Sequence, residues 1–347
     1  MERYVEALKQ EYQLVLSAYG EPFAFKTIFV GGGTPTALPD TAFKSLMTFI
    51  QALPKTLDYE WTVEANPESL STEKLKIMKA AGCNRLSIGV QDLNETILKR
   101  IGRLHTAEDF KDAFSDARAL GFDNISVDLM FGIPGQTLEG FKTTLKDIIA
   151  LSPEHISTYS LKIEEGTVMA HLVEKGHIEP LSDEMDRLMY HEIISVLSDN
   201  NYEQYELSNF SRENHESRHN LSYWHNESFL ALGLSSSYYV LGTRFENVHE
   251  LDRYFKNIEA GHLPILTRET NGIDTERYET LFLQLRLSEG LDVMKFSQRY
   301  GIDFDQIYGS VVKRLIGEGL MAQKDDVLTL TERGKDLSNS VFVDLMI

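Results

Sequence analysis

The 347-residue chain contains a single cysteine, Cys83. It therefore holds no internal disulfide framework and no metal site built from several cysteines of its own. Positive charge is also scarce: 34 Lys and Arg stand against 53 Asp and Glu, a formal net charge of −19. That balance argues against attachment to phosphate backbones or anionic membrane surfaces, because both need a basic face. No apolar run approaches the ~20 residues that cross a bilayer, and the opening Met1-Glu2-Arg3-Tyr4-Val5 lacks the apolar core of a signal peptide. A cytoplasmic protein with no membrane insertion and no nucleic-acid partner is expected. What the chain does have is 42% hydrophobic and 25% charged residues, the mixture of a globular protein with ample core, at a length suited to two or three domains.

From residue 26 to about 208, short runs rich in β-branched residues alternate with helical patterns, each pair taking about thirty residues, the size of a βα unit. Strands are expected at Thr27–Val30, Glu60–Ala65, Arg85–Val90, Ile125–Phe131 and His155–Ile163. The stripes Phe43, Leu46, Met47, Ile50 and Phe110, Ala113, Phe114, Ala117 repeat at helical spacing and would face the sheet. Ser71, Asn94, Thr106 and Thr137 sit where N-caps are wanted, and Gly82 and Gly121 where helices end. Near-continuously apolar strands joined by helices imply a parallel sheet. The expected fold is α/β: a partial, TIM-like (β/α) barrel lacking its first strand, since the helix Tyr4–Tyr19 precedes any strand. A polar, His- and Asn-rich linker subdomain follows. Three short helices (Tyr278–Leu287, Val293–Tyr300, Phe304–Gly317) and a hairpin turning at Asp325-Asp326 resemble a winged helix. The domains so read are 1–207, 208–268 and 269–347.

In such an architecture ligands bind where strands end at their carboxyl side. There the sequence places Gly31-Gly32-Gly33-Thr34-Pro35, Glu64-Ala65-Asn66-Pro67, Gln91-Asp92, and Asp128 ahead of Gly132-Ile133-Pro134-Gly135. The glycines open backbone N–H and C=O groups to a ligand. They lack the Gly-Lys-Ser/Thr of a phosphate loop, and Pro35 does not suit a dinucleotide fingerprint. Carboxylates and an amide converging on one mouth suit the hydroxyls of a ribose.

The motifs Gly-Gly-Gly-Thr-Pro-Thr at 31–36, Glu-Ala-Asn-Pro at 64–67, Ser-Ile-Gly-Val-Gln-Asp at 87–92, Arg103-Leu104-His105, and Val-Asp-Leu-Met-Phe-Gly-Ile-Pro-Gly-Gln-Thr at 127–137 resemble, in order and spacing, the radical S-adenosylmethionine family of oxygen-independent coproporphyrinogen oxidases. Tyr205-Glu206-Leu207-Ser208-Asn209-Phe210 and His219-Asn220-Leu221-Ser222-Tyr223-Trp224 are similar to its HemW branch, the haem chaperones. The resemblance covers essentially the whole chain. It implies that Gly32, Gly33 and Thr34 bind the methionyl amino end of S-adenosylmethionine, Glu64 and Asp128 the sugar and its neighbours, and Gln91 and Arg103 the remaining polar atoms, carboxylate included. That ligand carries an ammonium, a carboxylate, a sulfonium and a ribose, so acceptors, one guanidinium and open backbone are the inventory it needs.

One departure is plain. The family's Cys-x-x-x-Cys-x-x-Cys motif, which holds a [4Fe–4S] cluster in full-length relatives, is absent here, and Cys83 alone cannot replace three ligands. A segment with its strand, preceding the first helix, is expected to be missing from this chain. The resemblance further makes His219 a candidate axial ligand to haem iron, with Asn220, Tyr223 and Trp224 flanking the porphyrin. On a helix His215 and His219, four apart, would also suit a shared zinc, though no third ligand is evident. From Glu269 onward nine Lys and Arg face fourteen Asp and Glu, so the winged-helix-like region reads as a docking module rather than a DNA reader. The implied function is to bind haem and deliver it to a haem-requiring acceptor protein. Two alternatives stand beside it: oxidation of coproporphyrinogen III, which needs the cluster, and a cluster-less binding protein.

Overall fold

The computed structural model describes residues 1–20 and 24–346, which divide into two compact units. One is built from 24–204 and 208–217, the other from 1–20, 205–207 and 218–346.

The first unit is a curled half-barrel. Its strands are β1 (Phe25–Val30), β2 (Lys55–Ala65), β3 (Arg85–Gln91), β4 (Ile125–Phe131), β5 (His155–Ser160), β6 (Glu203–Glu206, of which the last two residues are counted with the other unit) and β7 (Asn209–Ser211). The sheet order is β1-β2-β3-β4-β5-β7-β6; β1 to β5 run parallel, and β7 pairs antiparallel with β5. The helices between parallel strands begin as the sequence implies. Ser71 accepts the N–H of Lys74, Asn94 those of Thr96 and Ile97, Thr137 that of Gly140, and Thr106 forms a full capping box with Asp109. Gly82 ends its helix in the left-handed region at φ 98°. Phe43, Leu46, Met47 and Ile50, like Phe110, Phe114 and Ala117, are buried, the burial pattern of helices packed by one face.

Four expectations need correction. The strand from His155 stops at Ser160 rather than Ile163, and the helix expected over Phe304–Gly317 is two, Phe304–Ile307 and Gly309–Gly317, broken at Tyr308. The polar stretch after Glu206 begins with a strand, β7, whose three residues are all buried. Nor are the parallel strands continuously apolar. In β3, β4 and β5, Leu86, Ile88, Val90, Ile125, Val127, Leu129 and Ile156 alternate with Arg85, Ser87, Gln91, Ser126, Asp128, His155 and Ser157. Successive side chains of a strand point to opposite faces; one face of this sheet is apolar and the other polar.

In the second unit the helix Glu2–Tyr19 and the helix Leu251–Glu259 accompany an antiparallel sheet of β8 (Ser237–Val240), β9 (Thr243–Asn247) and β10 (Ile265–Thr270). Glu11 lies on the buried face of its helix with Ala7 and Val15. Its carboxylate accepts from the Gly233 N–H (2.8 Å), Asn247 Nδ2 (2.7 Å) and the Tyr254 hydroxyl (2.6 Å), which offsets the cost of burying it. The C-terminal part packs Leu281, Phe296, Phe304, Val312, Leu315 and Val341 against β11 (Leu291–Asp292), β12 (Met321–Lys324) and β13 (Val327–Leu330). The hairpin β12–β13 turns at Asp325-Asp326 as expected, with Asp325 at φ 52°. No helix of the described residues is long and apolar enough to cross a membrane.

Candidate functional site

β1 ends in the three glycines. Gly31 leaves room for its neighbour: a Cβ there would come within 2.5 Å of Glu64 Cδ and 2.7 Å of Phe29. Gly32 adopts φ +81°, and neither it nor Gly33 has anything within 4 Å of where a Cβ would stand. The turn therefore presents open backbone. The Gly32 N–H donates to Glu64 Oε2 at 3.2 Å. Thr34 Oγ1 accepts from Asn66 Nδ2 at 3.1 Å, and Asn66 Oδ1 accepts from Arg103 Nη1 at 2.9 Å. Asn66 thus ties Thr34 to Arg103, a role its place beside Pro67 in the sequence did not signal.

Gln91 ends β3 at φ 69°, where the register with β4 shifts. A left-handed backbone at a non-glycine residue costs energy and tends to persist at functional sites. Gln91 is 7% exposed, and its amide has no hydrogen-bond partner among the described residues. Gly89 makes space for it, since a Cβ at 89 would sit 3.1 Å from both Gln91 Nε2 and Asn66 Oδ1.

Asp128 faces the same polar side of the sheet. Ser87 Oγ donates to it at 2.9 and 3.2 Å, and Ser126 Oγ donates at 3.2 Å. Burial raises its carboxyl, against the opposing pull of the Ser157, Ser87 and Ser126 hydroxyls and the Arg85 guanidinium. Burial, with the Asp128 charge adding to it, pushes Glu64 up to about 7, and the Gly32 N–H only partly offsets this. Behind these carboxylates Arg85 is 2% exposed and donates to Thr62 Oγ1 at 3.3 Å, while its Nε has no hydrogen-bond partner among the described residues. His155 Nδ1 lies 2.8 Å from Ser126 Oγ. These second-rank polar residues were not foreseen. Their signal was the period-two alternation within strands that otherwise read as buried and apolar.

Seven residues singled out from the sequence, Gly32, Gly33, Thr34, Glu64, Gln91, Arg103 and Asp128, thus all belong to one unit. Two half-buried carboxylates that make no ion pair among the described residues, an amide unengaged among them and exposed glycine backbone suit a ligand that brings positive charge together with hydroxyls. S-Adenosylmethionine fits that donor set.

A [4Fe–4S] cluster does not fit the residues present. Cys83 Sγ lies 3.4 Å from the Trp61 carbonyl and 3.3 Å from that of Arg85, and burial pushes its thiol up to about 12. Iron takes the thiolate. No group of three or more His, Cys, Asp or Glu among the described residues is placed to hold a metal ion.

The second candidate region is the helix Arg218–Trp224 of the other unit. His219 Nε2 and the Tyr223 hydroxyl are 2.8 Å apart, with the rings edge-on at 4.8 Å. Tyr223 in turn meets Phe229 edge-on at 4.5 Å. The Arg286 guanidinium lies 4.5 Å over the Trp224 ring, whose buried Nε1 has no hydrogen-bond partner among the described residues. Asn220 is half-buried on the same helix. An imidazole among aromatic rings has the chemistry to meet a haem. His215 precedes this helix and groups with the half-barrel, so the two histidines do not share one helical face and the zinc alternative loses its premise.

The class follows from this architecture and from two domain matches. Residues 2–148 match the radical SAM superfamily, and residues 274–337 match the HemN C-terminal domain. The structure of coproporphyrinogen III oxidase (HemN) from Escherichia coli, a radical SAM enzyme, superposes with a TM-score of 0.84 over 99% of this chain and 82% of that one, at 22% identity. This is a radical SAM fold with a HemN-type C-terminal domain. The chain is 40% identical to the heme chaperone HemW of Bacillus subtilis over 99% of its own length and 90% of that protein's. It is 34% identical to HemW of Lactococcus lactis and 31% to HemW of Escherichia coli, covering 89% and 85% of those chains. The chain belongs to the HemW branch of the radical SAM, HemN-like family.

Proposed function

We propose that this chain is a haem chaperone: it binds haem through the helix Arg218–Trp224, with His219 as the axial ligand, and passes it to a haem-requiring acceptor protein. The likeness to bacterial heme chaperones over 99% of the chain carries the reading. The aromatic setting of His219 supports it. Asn220, Tyr223 and Trp224 flank the porphyrin in this reading, and Tyr223 must release His219 Nε2 if that nitrogen is to reach iron.

The half-barrel is proposed to bind S-adenosylmethionine, which when bound supplies a sulfonium-activated nucleoside. Gly32, Gly33 and Thr34 receive its amino end. Glu64 and Asp128 accept from the ribose and neighbouring groups, Gln91 supplies an amide, and Arg103 pairs with its carboxylate. The residues of this chain bind and orient the nucleoside; they hold no cluster, and no cluster-dependent step is assigned to them.

A haem titration followed by Soret absorption tests the proposal. The wild type is expected to take up one haem, and His219→Ala to lose affinity and change the spectrum, while His215→Ala and His225→Ala behave as wild type. Weak, multi-site uptake indifferent to all three substitutions would mark mere adhesion to apolar surface and sink the haem reading.

A further inference from the structure

The segment that carries Arg103 runs from Ile101 to Thr106 without strand or helix. Exposure alternates along it: Arg103 is half-buried, Leu104 is 84% exposed, and His105 is 3% exposed. The two inward-facing side chains of the segment, Arg103 and His105, are two residues apart.

Both ring nitrogens of His105 face acceptors. Nε2 is 3.1 Å from the Val90 carbonyl oxygen, and Nδ1 is 3.2 Å from Glu68 Oε2. A carbonyl oxygen cannot donate, so Nε2 carries a hydrogen, and with Glu68 ionised a neutral ring would aim the bare lone pair of Nδ1 at a carboxylate oxygen. The other neutral tautomer moves the same conflict to Val90. We infer that the His105 ring carries hydrogen on both nitrogens, and that its charge-assisted pair with Glu68 is the clasp that positions the Arg103 segment over the ends of β2 and β3. A hydrogen bond between ionised partners is about twice as strong as a neutral one.

The placement explains why one ring matters to the whole site. Glu68 lies two residues after Asn66, Val90 immediately precedes Gln91, and His105 lies two residues after Arg103. The ring joins the three segments that carry those side chains, and Asn66 is already bonded to Arg103. His105 and Glu68 are thus positioning residues; neither is among the groups proposed to touch the ligand. This inference rests on the reading of the half-barrel as an S-adenosylmethionine site.

The test uses the full chain. With ¹⁵N-histidine labelling at neutral pH, and the His105 signals assigned by their loss in His105→Gln, the wild type should show two protonated ring nitrogens. Glu68→Gln should show one, because the amide then donates to a bare Nδ1. Backbone amide exchange over residues 101–105 should accelerate about tenfold in Glu68→Ala and stay near wild type in Glu68→Gln. S-Adenosylmethionine affinity measured by calorimetry should follow the same order. One protonated nitrogen in the wild type overturns the charged clasp, and unchanged exchange in Glu68→Ala overturns the positioning role. A wild type that fails to bind S-adenosylmethionine while showing the expected nitrogen signals and exchange would instead remove the reading of the site and leave the clasp standing.

Discussion

Glu64 and Asp128 stand on β2 and β4 with β3 between them, and neither carboxylate makes an ion pair with a basic side chain among the described residues. The arrangement is costly for the protein alone. Burial and the neighbouring charge lift Glu64 to about 7, and holding it ionised above that pH costs on the order of 3 kcal/mol. A ligand bringing a positive charge beside the two carboxylates would recover part of that cost.

The sign of the pH effect follows. A raised folded-state carboxyl contributes stability that is fully present below the ordinary Glu value of 4.5 and is lost as pH rises through about 7. Ligand binding runs the other way, since the cation prefers the ionised side chain. Affinity for S-adenosylmethionine should therefore rise roughly tenfold between pH 5.5 and 7.5, and Glu64→Gln should flatten that rise. Calorimetry at several pH values checks this. A wild-type affinity independent of pH would remove Glu64 from the site.

His155 titrates in the opposite sense. Burial, then the charges of Arg85 and His215, hold its imidazole well below the usual 6.5. Its contribution to stability is thus complete above 6.5 and is lost as pH falls below that value. Urea unfolding of the wild type should lose stability between pH 7 and 5 more steeply than His155→Gln, which can keep a bond to Ser126 without acquiring a charge. Parallel pH slopes in the two proteins would show that His155 carries no part of the acid sensitivity.

The motifs at the strand ends were legible because glycines, carboxylates and amides are out of place beside apolar runs, and helix caps were legible because they act within four residues. What could not be read depends on distance. Glu11 shows in sequence only as an acidic residue on an apolar helical face, and its partners Gly233, Asn247 and Tyr254 lie more than 200 residues away. Arg85, Ser87, Ser126 and His155 were visible as residues, yet the polar face they form appears only once neighbouring strands are set in register. β7 was missed because Asn-Phe-Ser has the composition of a loop, and it is a strand only because β5 offers it an edge.

The last prediction concerns the bond between His219 Nε2 and the Tyr223 hydroxyl. If imidazole is to reach haem iron through Nε2, this bond must first be broken, at a net cost of about 0.5–1.5 kcal/mol. Tyr223→Phe keeps the ring and its edge-on contact with Phe229 while removing the hydroxyl. Haem affinity in Tyr223→Phe should therefore rise by roughly twofold to tenfold, with the Soret spectrum of the wild type retained. Tyr223→Ala removes the aromatic surface as well, so it should weaken binding despite freeing the same nitrogen. A loss of affinity in Tyr223→Phe as large as that in Tyr223→Ala would mean that the hydroxyl itself serves the haem, and the picture of a bond that must open would be wrong.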